Sequence, residues 1–349
     1  MRILYGVQGT GNGHITRART MLPALRAAGI DVDFVFSGRP SERYFDMESF
    51  GRYRAFAGLT YHMHKGRVRW PQTLRNVQAG RLVRDVRELN LKGYDCVLTD
   101  FEPVSAWAAK LQGVPAVGLA HQYALRYPIP GVKPWLKYGV SAFAPADKYL
   151  GVHWQPFGHP VLPPLIQTAA DAAVGDDGFI LVYLPFENFT FVCRWLKTIT
   201  GCRFRIYTDT PRAFSDGHID VRPLSREMFP QDLARCSGVV CNAGFGLCSE
   251  VMALGKKMLV RPLQNHVEQQ SNALILQQSG RATIMRQFDA AILQGWLAAP
   301  APGKICFPAV APAVAAWLAN GCVADTQDLA DSVWQSRIEV PADGARVAG

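Results

Sequence analysis

Along this chain of 349 residues, short apolar runs take turns with apolar stripes of helical period. Residues 2–7 make a brief apolar run that breaks into Gly9-Thr10-Gly11-Asn12-Gly13-His14, and Ile15, Ala18, Leu22 and Leu25 then recur at helical spacing as far as Gly29. The pattern predicts a strand, a glycine loop and a helix. Further strands are predicted over 32–36, over 94–99 with Asp100 at the end, and over 116–119 with His121 just beyond. From Gly158-His159-Pro160 to about residue 177, Pro, Ala and Asp take over, the composition of an interdomain connection. A second alternation follows, with strands over 179–184, 204–207, 238–241 and 257–260 and helices over 189–198 and 246–254. Helical patterns near 287–299, 309–319 and 326–337 close the chain. Strands alternating with helices specify an α/β protein with parallel sheets, whose ligands gather beyond the carboxyl ends of the strands. Two such domains are expected, at 1–157 and 178–322, joined by a linker over 158–177; a C-terminal helix and tail over 323–349 is expected to pack back on the first.

Composition narrows the class. Hydrophobic residues at 49% and charged ones at 19% describe large cores and exclude disordered, collagen-like and coiled-coil chains. No apolar run reaches the roughly 18 to 20 residues of a membrane span, the richest, 309–319, being broken by Pro312. The opening run falls straight into glycines with no cleavage-like segment, so no signal peptide is read and a cytoplasmic protein is expected. Eight cysteines, none in a C-x-x-C pair, are expected as reduced thiols. Charge divides the chain: residues 1–150 hold 21 Lys and Arg against 11 Asp and Glu, and the remainder 16 against 17. The whole +9 excess lies in the first half, which points to an anionic surface or ligand there, or to a solvated basic face.

Candidate chemistry sits at the strand ends. Gly9, Gly11 and Gly13 are spaced G-x-G-x-G rather than G-x-G-x-x-G, and the second strand ends in Ser37-Gly38-Arg39 with no acid for a ribose, which argues against a nicotinamide enzyme. His14 stands where loop becomes helix, where a neutral imidazole can take a proton from a bound hydroxyl; a capping or structural histidine is the other reading. Asp100 is placed to orient that ring and stabilise its imidazolium. In the second domain Cys241-Asn242-Ala243-Gly244-Phe245-Gly246 follows a strand and opens a helix, so backbone N–H groups can hold phosphate without a metal. Glu250, one to two turns on, is placed to accept hydrogen bonds from a diol such as ribose. The polar run over 261–273 is denser in polar groups than folding alone demands.

These motifs resemble those of glycosyltransferases of the GT-B class. They are similar both to the plant-type small-molecule glucosyltransferases and to the lipid-linked N-acetylglucosaminyltransferase of bacterial peptidoglycan synthesis. The glycine loop resembles the G-x-G-G-H loop that opens those enzymes, with His14 on the plant-type base and Asp100, in Val97-Leu98-Thr99-Asp100-Phe101, on its aspartate partner. Gly244 and Glu250 keep the spacing of the family's nucleotide motif, whose glutamate holds the ribose. Glu268-Gln269-Gln270-Ser271-Asn272 resembles the run that ends the plant signature, in which an acid and a glutamine bind sugar hydroxyls. His121-Gln122 resembles a His-Glu loop on the acceptor side of the peptidoglycan enzyme. The chain departs at Asn242, where the plant type has a phosphate-binding histidine, and at Pro185-Phe186-Glu187-Asn188, which replaces the cell-wall enzyme's Gly-rich phosphate loop.

The resemblance implies two Rossmann-like domains facing across a cleft, the first for the acceptor and the second for a nucleotide-diphosphate sugar, UDP-linked, with inversion at the anomeric carbon. It implies His14 as base and Asp100 as partner, Gly11, Asn12, Gly13, His121 and Gln122 around the acceptor, and Asn242, Gly244, Phe245, Gly246, Glu250, Glu268 and Gln269 around the donor. With the helix end taking the role a metal plays elsewhere, no metal or other cofactor is expected, and no protein partner is inferred. The basic stretch 62–92 contains His62, His64, Lys65, Arg67, Arg69, Trp70, Arg75, Arg81, Arg84, Arg87 and Lys92. It is expected to meet anionic lipid at the inner face of the cytoplasmic membrane, as a peripheral enzyme acting on a lipid-linked, cell-envelope acceptor requires, although a polyanionic glycan or nucleic acid also suits it. Alternative functions are a nucleotide-sugar 2-epimerase of the same fold, which needs several acids for the C2 proton, and a non-catalytic sugar-nucleotide or glycan-binding protein.

Overall fold

A computed structural model describes residues 1–44, 46–59, 63–64, 67–68, 79–166 and 174–336, and the chain divides into two compact units. The first unit takes in Met1–His62, Trp70–Gln167 and Phe307–Ile338. Its order runs β1 (Arg2–Gln8), α1 (Asn12–Ala27), β2 (Asp31–Ser37) and β3 (Tyr53–Phe56). After the short antiparallel pair β4 (Met63–His64) and β5 (Arg67–Val68), which groups with the second unit, come α2 (Ala79–Glu88), β6 (Cys96–Asp100), α3 (Pro103–Gln112), β7 (Ala116–Ala120) and the single turn α4 (His121–Ala124). Then follow α5 (Leu136–Phe143), β8 (Lys148–Val152) and β9 (Val161–Leu162). The main sheet is parallel, in the order β3-β2-β1-β6-β7-β8-β9. Strand order reverses between β1 and β6, which opens a crevice beyond their carboxyl ends.

Close packing fixes that crevice. A Cβ added at Gly6, midway along β1, would lie 1.9 Å from Ser105 Oγ, so glycine lets α3 press directly on the strand. Glu102 caps α3 by accepting from Val104 N at 2.8 Å and Ser105 N at 2.6 Å, and takes the Ser37 hydroxyl at 2.6 Å. Burial among these neutral donors pushes its carboxyl up. Between Asp100 and Glu102, Phe101 is left-handed at φ 54°, held there by its ring packing on Tyr123 and Phe143.

The second unit runs β10 (Phe179–Tyr183), α6 (Phe189–Leu196), β11 (Arg203–Thr208), β12 (Phe214–Asp216), β13 (Ile219–Pro223), α7 (Met228–Arg235), β14 (Gly238–Cys241), α8 (Phe245–Leu254), β15 (Lys257–Val260), α9 (Val267–Gln278), β16 (Thr283–Ile284) and α10 (Ala290–Ala298). Its sheet has the order β12-β13-β11-β10-β14-β15-β16, parallel except for β12, and it reverses between β10 and β14. Ile180, Val182, Leu196, Phe204, Ile206, Val240, Leu259 and Trp296 form the centre of its core.

At Phe307 the chain returns to the first unit, earlier than the boundary at 323 read from the sequence. The apolar stripe of α11 (Val310–Ala319), with Val310, Val314, Ala315 and Leu318 buried, packs on α1. α12 (Thr326–Gln335) lies on β8 and β9, where Trp334 Nε1 donates to Val161 O at 2.7 Å. Residues 337–349 lie outside the described residues, as do His62, Lys65, Arg69, Trp70 and Arg75 of the basic stretch. Arg81, Arg84 and Arg87 are on α2. All eight cysteines are free thiols, and no helix among the described residues is long and apolar enough to cross a membrane.

Candidate active site

In the first unit the crevice gathers residues from β6, α1 and α4. His14 Nδ1 lies 2.7 Å from Asp100 Oδ1. Arg17, three residues on along α1, donates through Nε to Asp100 Oδ2 at 2.7 Å and through Nη2 to Oδ1 at 2.6 Å. Asp100 is fully buried; burial alone would raise its carboxyl, but Arg17 and His14 outweigh it and hold the group below its ordinary value. An ionised Asp100 is acceptor-only, which puts the His14 proton on Nδ1 and leaves a lone pair on Nε2. The amide nitrogen of Gln122 stands 3.5 Å from that Nε2.

The other expected acceptor-side residues divide. His121 is 1% exposed, its Nδ1 2.8 Å from Val152 O and its ring against His153, so it faces into the unit while its neighbour Gln122 faces His14. In the glycine loop, Asn12 Oδ1 accepts from Arg39 Nη2 at 2.9 Å, and Arg39 Nε donates to the Gly9 carbonyl. Gly9 is a packing requirement, because a Cβ there would sit 2.2 Å from Tyr44 Oη. Gly11 and Gly13 are not, since an added Cβ meets nothing within 4 Å and neither residue has positive φ.

The second unit opens α8 at its own crevice, with Gly244 as N-cap and no side-chain cap. A Cβ on Gly244 would also meet nothing within 4 Å. Asn242 is buried and donates Nδ2 to Arg261 O at 2.9 Å, tying the ends of β14 and β15. The Phe245 side chain is buried, so what it offers a ligand is backbone, and Gly246 follows in the first turn. Glu250 is partly buried, and burial lifts its carboxyl to about 7.

The polar run over 261–273 corrects the reading that folding could not account for it. Gln269, 5% exposed, accepts from Leu263 N at 3.0 Å, and Gln270 Nε2 donates to Leu263 O at 2.8 Å, so two neighbouring amides pin the backbone of one residue. His266 caps α9 through Nδ1, accepting from Gln269 N at 3.3 Å; burial lowers its basicity against the pull of Glu268 beside it. Asn272 Nδ2 donates to Ala243 O at 3.0 Å. Arg261 Nε pairs with Glu187 Oε1 at 2.9 Å, and Asn188 caps α6 by accepting from Phe191 N, so the segment in place of a Gly-rich loop is held by side chains. Asp31-Val32-Asp33 has D-x-D spacing but lies at the amino end of β2, away from the crevice, with Asp33 bonded to Arg2 and Tyr94.

Sequence reasoning missed Arg17. Its only signal was the i+3 spacing to His14, which places both side chains on one helix face.

The family model described as Glycosyl transferase family 1 matches residues 1–138 and 153–300. No curated protein matches the chain at a significant level. Among solved structures, the chain is similar to the glycotransferase of kitacinnamycin, at 16% identity and TM-score 0.56 over 96% of this chain and 98% of that one. It is also similar to LpCGTa in complex with UDP, at 16% identity and TM-score 0.58 over 97% and 99%. A third is SsfS6 of Streptomyces sp. SF2575, complexed with thymidine diphosphate, at 13% identity and TM-score 0.57 over 96% and 100%. These likenesses show the fold: two Rossmann-like units of the GT-B class.

Two outcomes are expected. Gly13→Ala should fold as well as wild type, or up to about 1 kcal/mol better, because it removes a helix glycine without a clash. Its turnover should nonetheless fall, since only an approaching substrate needs the space; thermal melts and rates on one preparation decide it, and full activity sinks the idea. The second concerns Glu250, whose folded value of about 7 stands above its ordinary 4.5. Such a group contributes stability that is complete below about pH 4.5 and lost as pH rises through about 7. Relative to wild type, Glu250→Gln should therefore gain in melting temperature between pH 4.5 and 8; a difference constant across pH contradicts the lifted carboxyl.

Proposed function

This chain belongs to glycosyl transferase family 1 and is a glycosyltransferase, and we propose that it uses a nucleotide-sugar donor, UDP-linked, and moves the sugar to an acceptor hydroxyl with inversion. The observation that carries the reading is the His14–Asp100 pair at the mouth of the first sheet, with Nε2 of the ring left as proton acceptor. The acceptor oxygen attacks the anomeric carbon while the bond from that carbon to the diphosphate oxygen breaks. The hydroxyl proton passes to His14 Nε2, and Asp100 stabilises the imidazolium. One displacement on the face opposite the leaving group inverts the carbon. The departing diphosphate keeps the bonding pair and is met by the N–H groups at the start of α8, a role that needs no metal. Gly244 and Gly246 let it approach, Glu250 accepts from the ribose, and Glu268 takes a sugar hydroxyl. Asn242 and Gln269 hold the loops around the donor rather than the donor itself.

The acceptor is read from charge and exposure. Trp135 and Tyr138, at the start of α5, are 62% and 69% exposed beside the exposed Lys133 and Lys137. Aromatic rings with flanking lysines, on the half that holds the net positive charge, support a lipid-linked acceptor and contact with an anionic membrane face.

His14→Ala should lower turnover by about two to four orders of magnitude with donor affinity nearly intact, and Asp100→Asn should act in the same sense. Release of UDP only when acceptor is present separates transfer from 2-epimerisation and from binding without turnover. For the surface, Lys133→Gln with Lys137→Gln should cost roughly 2 kcal/mol, about thirtyfold, in co-sedimentation with anionic vesicles, less at high salt. Equally negligible wild-type binding to neutral and anionic vesicles would remove the lipid surface.

A further inference from the structure

We propose that Arg17 is a positioning residue of this reaction: it fixes the Asp100 carboxylate for His14 and offsets part of that carboxylate's charge at the ring. The proposal rests on the reading of His14 as base. Arg17 is 6% exposed, and its Nε and Nη2 grip both oxygens of Asp100 as a fork, which denies the carboxylate rotation. The oxygen so fixed is the one that His14 Nδ1 meets at 2.7 Å. Arg17 Nη2 also lies 3.1 Å from His14 Nδ1. With the Nδ1 proton given to Asp100, that approach is donor against donor, and it becomes cation against cation once the ring is charged.

A carboxylate alone beside a buried imidazole favours the charged ring, which has then already taken its proton and cannot serve as base. Here opposite charges stand at 2.7 and 3.1 Å from Nδ1, so the guanidinium offsets part of the pull of the nearer carboxylate. The other groups around it do not restore the negative charge. Tyr5 on β1 and Tyr123 on α4 are phenols that burial keeps neutral, and burial likewise favours the neutral form of Glu102. Arg39, bonded to Asn12, is a further cation, and Gln122 is uncharged.

NMR titration of the histidine rings tests this without needing turnover, with His14 assigned by its absence from His14→Ala. Arg17→Gln should raise the His14 midpoint by about one unit or more, a tenfold or greater gain in proton affinity, and move the acid limb of kcat/KM upward with it. Arg17→Lys keeps the charge but loses the fork: the midpoint should stay within about half a unit of wild type, while kcat falls roughly tenfold with KM held. Arg17→Gln strands a buried carboxylate and can fail to fold, so the double variant Arg17→Gln/Asp100→Asn, which carries neither charge, is measured beside it. Its midpoint should lie within about one unit of wild type. A folded Arg17→Gln with an unmoved midpoint, or a double variant displaced further than that, overturns the proposal. Full turnover in His14→Ala overturns the base reading instead, and the titration still decides the role of Arg17.

Discussion

A carboxylate sealed from water sets the terms of the first unit. Asp100 is fully buried, and a buried charge persists only when it is paired and its lone pairs are taken. The partners come from one helix face: Arg17 supplies the fork, and His14, one turn earlier, shares an oxygen with it. α1 must therefore start over the end of β6, and the reversal of strand order between β1 and β6 gives it room there. Two residues on, Glu102 is as deeply buried with the opposite result. Among the described residues it is bonded by hydroxyl and backbone donors and by no cation, and burial drives it toward the neutral acid. The left-handed Phe101 between them turns the chain so that one acid serves the crevice and the other caps α3.

The second unit solves a related problem with dipoles. Its crevice is lined by the backbone at the start of α8, and the loops that shape it are held by amide side chains, which give and accept hydrogen bonds without carrying charge. The acids Glu187 and Asp232 of this unit are already paired, with Arg261 and with Arg205 and Arg222. This leaves Glu250 as the acid whose ionisation is poised near 7, through burial rather than through a charged neighbour.

Much of this was legible in the sequence where one physical demand dominates a segment. Strands buried on both faces read as unbroken apolar runs, and 238–241 and 257–260 were located to the residue. α3 was missed because its ten residues, with alanines on several sides, show no clear polar stripe to set the period. α9 was missed for the opposite reason: Gln269, Ser271 and Asn272 are polar yet buried, so its inner face does not look apolar. The helical stretch 309–319 was visible, but which unit it covers depends on the distant face of α1, which no local pattern encodes. Arg17 looked like Arg26 along the same helix, and only three-dimensional packing separates a buried fork from an exposed side chain.

Side chains that folding explains can be subtracted from the candidate site, and the remainder is narrower than the sequence suggested. His121 bonds Val152, Asn242 bonds Arg261, and Gln269 holds Leu263; each has a structural task that would persist with no ligand. Gly11, Gly13 and Gly244 have no such task, because neither backbone geometry nor a neighbouring atom forbids a side chain there. A glycine inside a helix costs up to about 1 kcal/mol, and nothing within the folded unit around Gly13 requires it. The same subtraction leaves the Nε2 lone pair of His14 and the Glu250 carboxyl. These lie at the strand-order reversals of the two sheets, where ligands of such folds gather.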